Sequence, residues 1–266
     1  MENNNDELLL VLDIDETLLH YTDEPLPYNP DFTPVFEKED QLFLRPGLQK
    51  FLDFVKSTNG KVKLGIWTFG NRRYAKGLLP ILNFCVENDS TENKWKSSEK
   101  SLKKPCLANL QFLYTIENMK PEMEPKELSY VLEEYLGQEY DRHEGLPPNI
   151  FLVDNRPENV YHDINIRNSI MVESYTGKNK SDNMFMHLID FCKKFLDYGG
   201  KVPKKFLQNF MVDGEMKTII SIGKHFDNGM KPINIHKNKW QQVTTIRKGT
   251  RTIRKGGSKK TRKKKS

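Results

Sequence analysis

The sequence predicts an α/β fold, a Rossmann-like parallel sheet with helices on both faces. Three observations lead there. Short apolar runs of strand length, LLLVL (Leu8 to Leu12), KLGIWT (Lys63 to Thr68) and NIFLV (Asn149 to Val153), are separated by longer segments with helical spacing. Strands that alternate with helices argue for a parallel sheet covered on both sides. Each run also ends abruptly in polar residues: Asp13-Ile14-Asp15-Glu16-Thr17, Thr68-Phe69-Gly70-Asn71 and Asp154-Asn155-Arg156-Pro157. In such a sheet ligands bind beyond the carboxyl ends of the strands, so these polar residues are the candidate site.

Taken in order, residues 1–7 (MENNNDE) are acidic and polar where a signal peptide would be basic and then apolar, and no apolar run approaches the roughly 18 residues of a membrane span. The chain is expected inside the cell, in nucleus or cytoplasm, not secreted and with no membrane partner. After the first strand, Arg45-Pro46-Gly47 leads into a helix from Leu48 to Ser57 with an apolar stripe of Leu48, Phe51, Leu52 and Val55. Arg45 reads as a surface residue or a helix-start ion pair. The second strand is followed by a helix from Asn71 to Leu82. Residues 87–104 are polar, rich in Lys and Ser and without periodicity, which predicts an insertion or a mobile loop. A helix from Glu127 to Leu136, the third strand and a one-faced helix from Asn183 to Leu196 complete the pattern.

Composition sets the outer bounds. With 266 residues, 36% hydrophobic and 29% charged, the chain can bury one sizeable core. Its net charge of +6 belongs to the last twenty residues, 247–266, which hold eleven Lys or Arg and no acid. The other 246 carry 31 basic against 36 acidic residues, a net of −5. So dense a charge of one sign with few apolar residues predicts a disordered basic tail. The expected division is therefore a folded domain over 1–200, an unassigned extension over 201–246 and the tail over 247–266. Cys85, Cys106 and Cys192 are widely spaced, without metal-ligand spacing, and read as reduced packing residues rather than a catalytic thiol.

Asp13, Asp15 and Glu16 crowd the end of a core strand, where repulsion and desolvation are costly. A divalent cation among them offsets that cost, and hard oxygen ligands suit Mg²⁺.

Asp13-x-Asp15-x-Thr17 after one strand, Thr68 after a second, a later lysine and Asp154-Asn155 after a third resemble the four motifs of the haloacid dehalogenase superfamily. DIDETLLH, LRPGLQKFLDFV, IWTFG, LVDNRPENV and NSIMVE resemble its CTD-phosphatase-like, or NLI-interacting-factor-like, branch. The resemblance runs over roughly Leu8 to Tyr198. It implies a haloacid dehalogenase-like domain with a small flap, placed at His20 to Leu42, and an insertion.

It also implies chemistry. Asp13 would be the nucleophile and Asp15 the general acid and base; Thr68 and a lysine would hold the phosphate. Mg²⁺ would be bound by Asp13, the main-chain carbonyl of Asp15 and Asp154, with Asn155 close by. Thr17 would hold the loop. The lysine is assigned to Lys126, which sits in a Lys-Glu-Leu context before a helix, with Lys100, Lys103, Lys104 and Lys120 as alternatives. Arg156 departs from the pattern, standing where the family often has Ser.

The resemblance points to phosphoserine or phosphothreonine in a phosphoprotein or phosphopeptide, such as the repeated tail of RNA polymerase II. Two alternatives stay open: a phosphatase of the same superfamily acting on a nucleic-acid end or a small phosphoester, and a non-catalytic binding module of the same fold. The tail is a candidate arm for nucleic acid or an acidic partner, or a solubility tail or nuclear address.

Overall fold

A computed structural model describes residues 7–24, 26, 29–34, 41–86, 95–97, 106–119, 125–212, 215–222 and 234–235. Among them the elements run β1 (Leu8–Leu12), β2 (Leu19–Thr22), β3 (Phe32–Pro34), β4 (Gln41–Leu44), α1 (Leu48–Ser57), β5 (Val62–Trp67), α2 (Arg72–Leu78), β6 (Phe84–Val86), β7 (Trp95–Ser97), β8 (Ala108–Tyr114), α3 (Leu128–Leu136), β9 (Ile150–Asp154), α4 (Pro157–Val160), β10 (Ser169–Val172), α5 (Met184–Asp197), β11 (Leu207–Val212), β12 (Glu215–Ile222) and β13 (Asn234–Ile235). The main sheet has the order β13-β11-β12-β10-β9-β1-β5-β8-β6. Its pairings are parallel except for β11 with β12.

The period of two along β1 decides which helix covers which side. Leu8, Leu10 and Leu12 pack with Phe51 and Leu52 of α1, Ala75 of α2 and Phe185 and Leu188 of α5. Leu9 and Val11 pack on the opposite face with Leu128, Val131 and Leu132 of α3, together with Trp67, Ile150 and Leu152. The sheet is thus buried on both faces, as its continuous apolar strands require. Helix α1 begins where Gly47, at φ 87°, turns the chain sharply, and its stripe of Leu48, Phe51, Leu52 and Val55 is buried as the spacing predicts. Phe51 stacks on Phe185 at 5.3 Å between ring centroids, which locks α1 to α5.

Several expectations are corrected. Helix α2 stops at Leu78 rather than Leu82, because Pro80 has no N–H to give and its ring crowds the preceding turn. Residues 106–119, which received no element in the sequence reading, contain β8, whose Ala108, Leu110, Phe112 and Leu113 are buried between β5 and β6. The extension after 200, which the sequence left unassigned, adds strands to the main sheet. Strands β11 and β12 form a hairpin, β12 pairs parallel with β10, and Phe206, Ile220 and Ile222 join the core beneath α5. Cys85 and Cys106 are not reduced but joined as a disulfide, since the β6–β8 pairing brings their Cα atoms to 5.8 Å; Cys192 is buried and free.

A second sheet, β2-β4-β3-β7, is antiparallel and lies where the flap was expected. Its outer strand, β7, comes from the insertion. The remaining insertion residues, with Lys100, Lys103, Lys104 and Lys120, and the basic tail lie outside the described residues. Among the described residues no helix is long and apolar enough to cross a membrane.

Candidate active site

Sheet order brings the polar strand ends together. Strand β1 lies between β5 and β9, and Leu12 is level with Ile66 on one side and Val153 on the other. The next residues are therefore neighbours: Asp13, whose N–H donates to the Val153 carbonyl at 3.0 Å, and Asp154. Their direction follows from alternation. Asp13 continues the parity of Leu9 and Val11, and Asp154 that of Ile150 and Leu152, so both lie toward α3. The chain passes from β1 to the β5 side and later returns to the β9 side, so this is also the topological switch point where open α/β sheets bind ligands.

Lys126, two residues ahead of α3, meets them there. It is fully buried and donates from Nζ to Asp13 Oδ1 at 2.5 Å and Asp154 Oδ2 at 2.9 Å. Two asparagines hold it. Asn159 Oδ1 accepts the Lys126 N–H at 3.1 Å while its Nδ2 donates to Asp154 Oδ2 at 2.9 Å. Asn165 donates from Nδ2 to the Lys126 carbonyl and accepts the Leu128 N–H at Oδ1, 2.8 Å away. Burial alone would lower the lysine pKa, but the Asp13 and Asp154 carboxylates together raise it, so the ammonium stays charged. Burial pushes the Asp13 carboxyl up to about 7 against the pull of Lys126, with Asp154 and Asp15 adding repulsion.

The loop after Asp13 is tightly tied. Glu16 stands at φ 64°, a left-handed conformation that a side chain disfavours, and is held there by Glu16 N–H to Leu19 O and Tyr175 N–H to Glu16 O, both 2.7 Å. Thr17 donates to Asn155 Oδ1 at 3.0 Å, and Asn155 donates onward to Ser174 Oγ at 2.8 Å. Asp15 accepts a hydrogen bond from the Tyr74 hydroxyl at the start of α2. Burial first, and then the Asp15 carboxylate, keep that phenol protonated well above the ordinary tyrosine range. Thr68 follows β5 on the other side of β1, is fully buried, and accepts the Gly70 N–H at 3.0 Å.

Arg45 is not on the surface but makes an ion pair at a helix start, with Asp182 at the opening of α5. It is 1% exposed, makes a two-pronged pair with Asp182 (Nε to Oδ1 3.1 Å, Nη2 to Oδ2 2.9 Å) and donates from Nη1 to the Thr17 carbonyl at 3.1 Å. It ties the Asp13 loop to the segment that opens α5. Arg156 lies over the Phe69 ring at 4.7 Å and pairs with Glu158, while its N–H holds Asp154 Oδ1 at 2.7 Å.

Asp13, Asp154 and Lys126 are thus brought into one cluster, with Asn155 tied to it through Thr17, Asp15 beside it and Thr68 one strand away. The sequence reading missed Tyr74, Asn159 and Asn165 and left Arg45 between two readings, of which the structure shows the ion pair. The asparagines had a faint signal, Asn155, Asn159 and Asn165 recurring just after a strand; Tyr74 had none.

The donor set fits Mg²⁺. Asp13 and Asp154 are two hard carboxylates that face the one ammonium of Lys126, and the Asp13 carboxyl is displaced chiefly by burial, with Asp154 and Asp15 adding repulsion that a bound cation would offset. Among the described residues no three acids, histidines or cysteines already stand together as a cation cage; Lys126 occupies the contact between Asp13 and Asp154.

The fold and site define an α/β protein with an acid and lysine cluster at the switch point of a mostly parallel sheet and a small antiparallel flap sheet beside it. The chain belongs to the NLI interacting factor-like phosphatase family, whose model matches residues 8–203. No curated protein matches it. Among solved structures it is similar to Fcp1, described as an essential RNA polymerase II CTD phosphatase, at 17% identity and a TM-score of 0.34 over 64% of this chain and 43% of that one. A fission yeast RNA polymerase II CTD phosphatase Fcp1 bound to beryllium fluoride is similar at 16% identity and a TM-score of 0.37, over 73% and 52%. The chain thus matches about half the length of those proteins.

Proposed function

We propose that this family member is an Mg²⁺-dependent phosphomonoesterase that acts on phosphoserine or phosphothreonine in proteins through an aspartyl-phosphate on Asp13. The observation that carries the reading is the buried clasp of Asp13 and Asp154 by Lys126 at the ends of adjacent strands. It sets a nucleophilic carboxylate and a fixed cation at one point, where charge develops during transfer. Asp13 attacks phosphorus, and Asp15 protonates the departing ester oxygen. Asp15, now a carboxylate, takes a proton from the water that releases phosphate from Asp13. Lys126 and Thr68 hold the transferring oxygens; Thr17, Asn155 and Arg45 hold the loop. Asp13, the Asp15 carbonyl, Asp154 and Asn155 would hold Mg²⁺, whose charge, when bound, neutralises the phosphoryl oxygens and favours the ionised Asp13.

The substrate class comes from family resemblance and is supported by the small flap sheet, which suits an extended peptide better than a closed cap would. Action on such a substrate in nucleus or cytoplasm is part of this proposal. The test is full-length protein with Mg²⁺ assayed against phosphoserine and phosphothreonine peptides, nucleotides and 3′-phosphorylated oligonucleotides. Peptide turnover that falls on the order of 10³-fold or more in Asp13→Asn is expected. Preference for the oligonucleotides would make it a nucleic-acid-end phosphatase, and absence of turnover on every substrate would make it a binding module.

A further inference from the structure

We infer that Tyr74 is the positioning residue for Asp15, an inference that rests on the phosphatase reading above. Its hydroxyl donates to Asp15 Oδ1 across 59 residues of chain, and the ring is placed from three directions. Asn71 Oδ1 accepts the Tyr74 N–H at 2.8 Å and sets the first turn of α2. Gly70 makes room, since a Cβ there would lie 2.6 Å from Tyr74 Cδ1 and 3.1 Å from Cε1. Tyr21 of β2, in the flap sheet, meets the ring edge-on at 6.3 Å and 79°. Tyr74 is therefore wedged between flap and loop with its one polar atom on the acid.

The chemistry gives that contact a purpose. In the first half-reaction an Asp13 oxygen bonds to phosphorus, the phosphorus–ester bond breaks, and the ester oxygen takes a proton from Asp15. In the second, a water oxygen bonds to phosphorus, Asp15 takes the water's proton, and the bond from phosphorus to Asp13 breaks. Tyr74 keeps its own proton throughout. By holding Oδ1 it fixes the plane of the carboxyl group, so that Oδ2 gives and receives the proton at one place. A one-ångström error there is costly.

Proton delivery matters most when the leaving oxygen is strongly basic, so the test varies the leaving group. Burst rates are measured by rapid quench for wild type, Tyr74→Phe and Asp15→Asn on p-nitrophenyl phosphate, phenyl phosphate and a phosphoserine peptide. Tyr74→Phe, which keeps the ring and its packing, is expected to lose less than about threefold on p-nitrophenyl phosphate and on the order of 10- to 30-fold on the peptide. The plot of log rate against leaving-group pKa steepens in the same sense as for Asp15→Asn. Gly70→Ala, which pushes the ring, should steepen it by a second route. An unchanged slope, or an equal loss on all three substrates, overturns the inference and leaves the phosphatase reading standing. A wild-type enzyme with no burst, indistinguishable from Asp13→Asn, overturns both.

Discussion

Asp13 is uncharged at little cost in the folded, metal-free protein and ionised at a high one. Its carboxyl rises to about 7 on folding because burial outweighs the attraction of Lys126. A raised folded-state value binds protons more tightly than the unfolded chain does. Its contribution to stability is therefore complete below the unfolded carboxylate value near 4 and is lost as pH climbs through about 7. Asp13→Asn removes the titration. In EDTA the variant should melt roughly 3–6 °C above wild type at pH 8, about 1–2 kcal/mol, with the gap closing toward pH 4. Melting curves at several pH values check this, and a constant gap would remove the explanation. Arg45 is the opposite case, a buried charge already matched. Arg45→Met leaves Asp182, 9% exposed, without its partner, and is expected to cost about 3–5 kcal/mol in urea unfolding, against well under 1 kcal/mol for an exposed pair. It should also slow turnover, because the Thr17 carbonyl loses its anchor.

At the scale of elements, close approach decides what the strands tolerate. Gly65 in β5 has no room for a side chain, since its Cβ would lie 2.3 Å from Phe112 Cζ of β8. Gly65→Ala should destabilise by about 1–3 kcal/mol, as overpacked cores do. Much of that should return in the double variant with Phe112→Leu, so that the two changes are non-additive in a double-mutant cycle. Additive losses would show that the two side chains do not meet. β8 escaped the sequence reading because its apolar residues follow a polar, aperiodic stretch and its partners β5 and β6 are remote; the strand is made by pairing more than by propensity. By contrast α1 was legible to the residue, because a helix with four buried residues at helical spacing needs only its own stripe.

For the molecule as a whole, the sheet is buried on two apolar faces, and its stability is expected to come from that core. Stripping Mg²⁺ with EDTA should abolish turnover while moving the melting temperature by only a few degrees, since a weakly held cation adds little through mass action. A collapse of the melting transition would instead make the cation structural. The tail, residues 247–266, contributes its charge and no catalytic group. Its deletion should leave p-nitrophenyl phosphate turnover unchanged, weaken capture of RNA or an acidic phosphoprotein and flatten the salt dependence of that binding. Equal affinities and salt slopes for full-length and truncated chains would leave the tail no role as a binding arm.

Local chemistry in the chain was enough for the α/β class, the position of β1, β5, β9, α1, α3 and α5, and the candidate acids Asp13, Asp15 and Asp154. Periods of 2 and 3.6 and abrupt apolar-to-polar changes are written in neighbouring residues. Tertiary structure alone decided that Lys126 meets Asp13, 113 residues away, that Tyr74 reaches Asp15, that Arg45 is buried against Asp182, and that β11 and β12 extend the sheet. Each of these depends on strand order and register, which set which distant residues stand level with one another, and no local spacing encodes them.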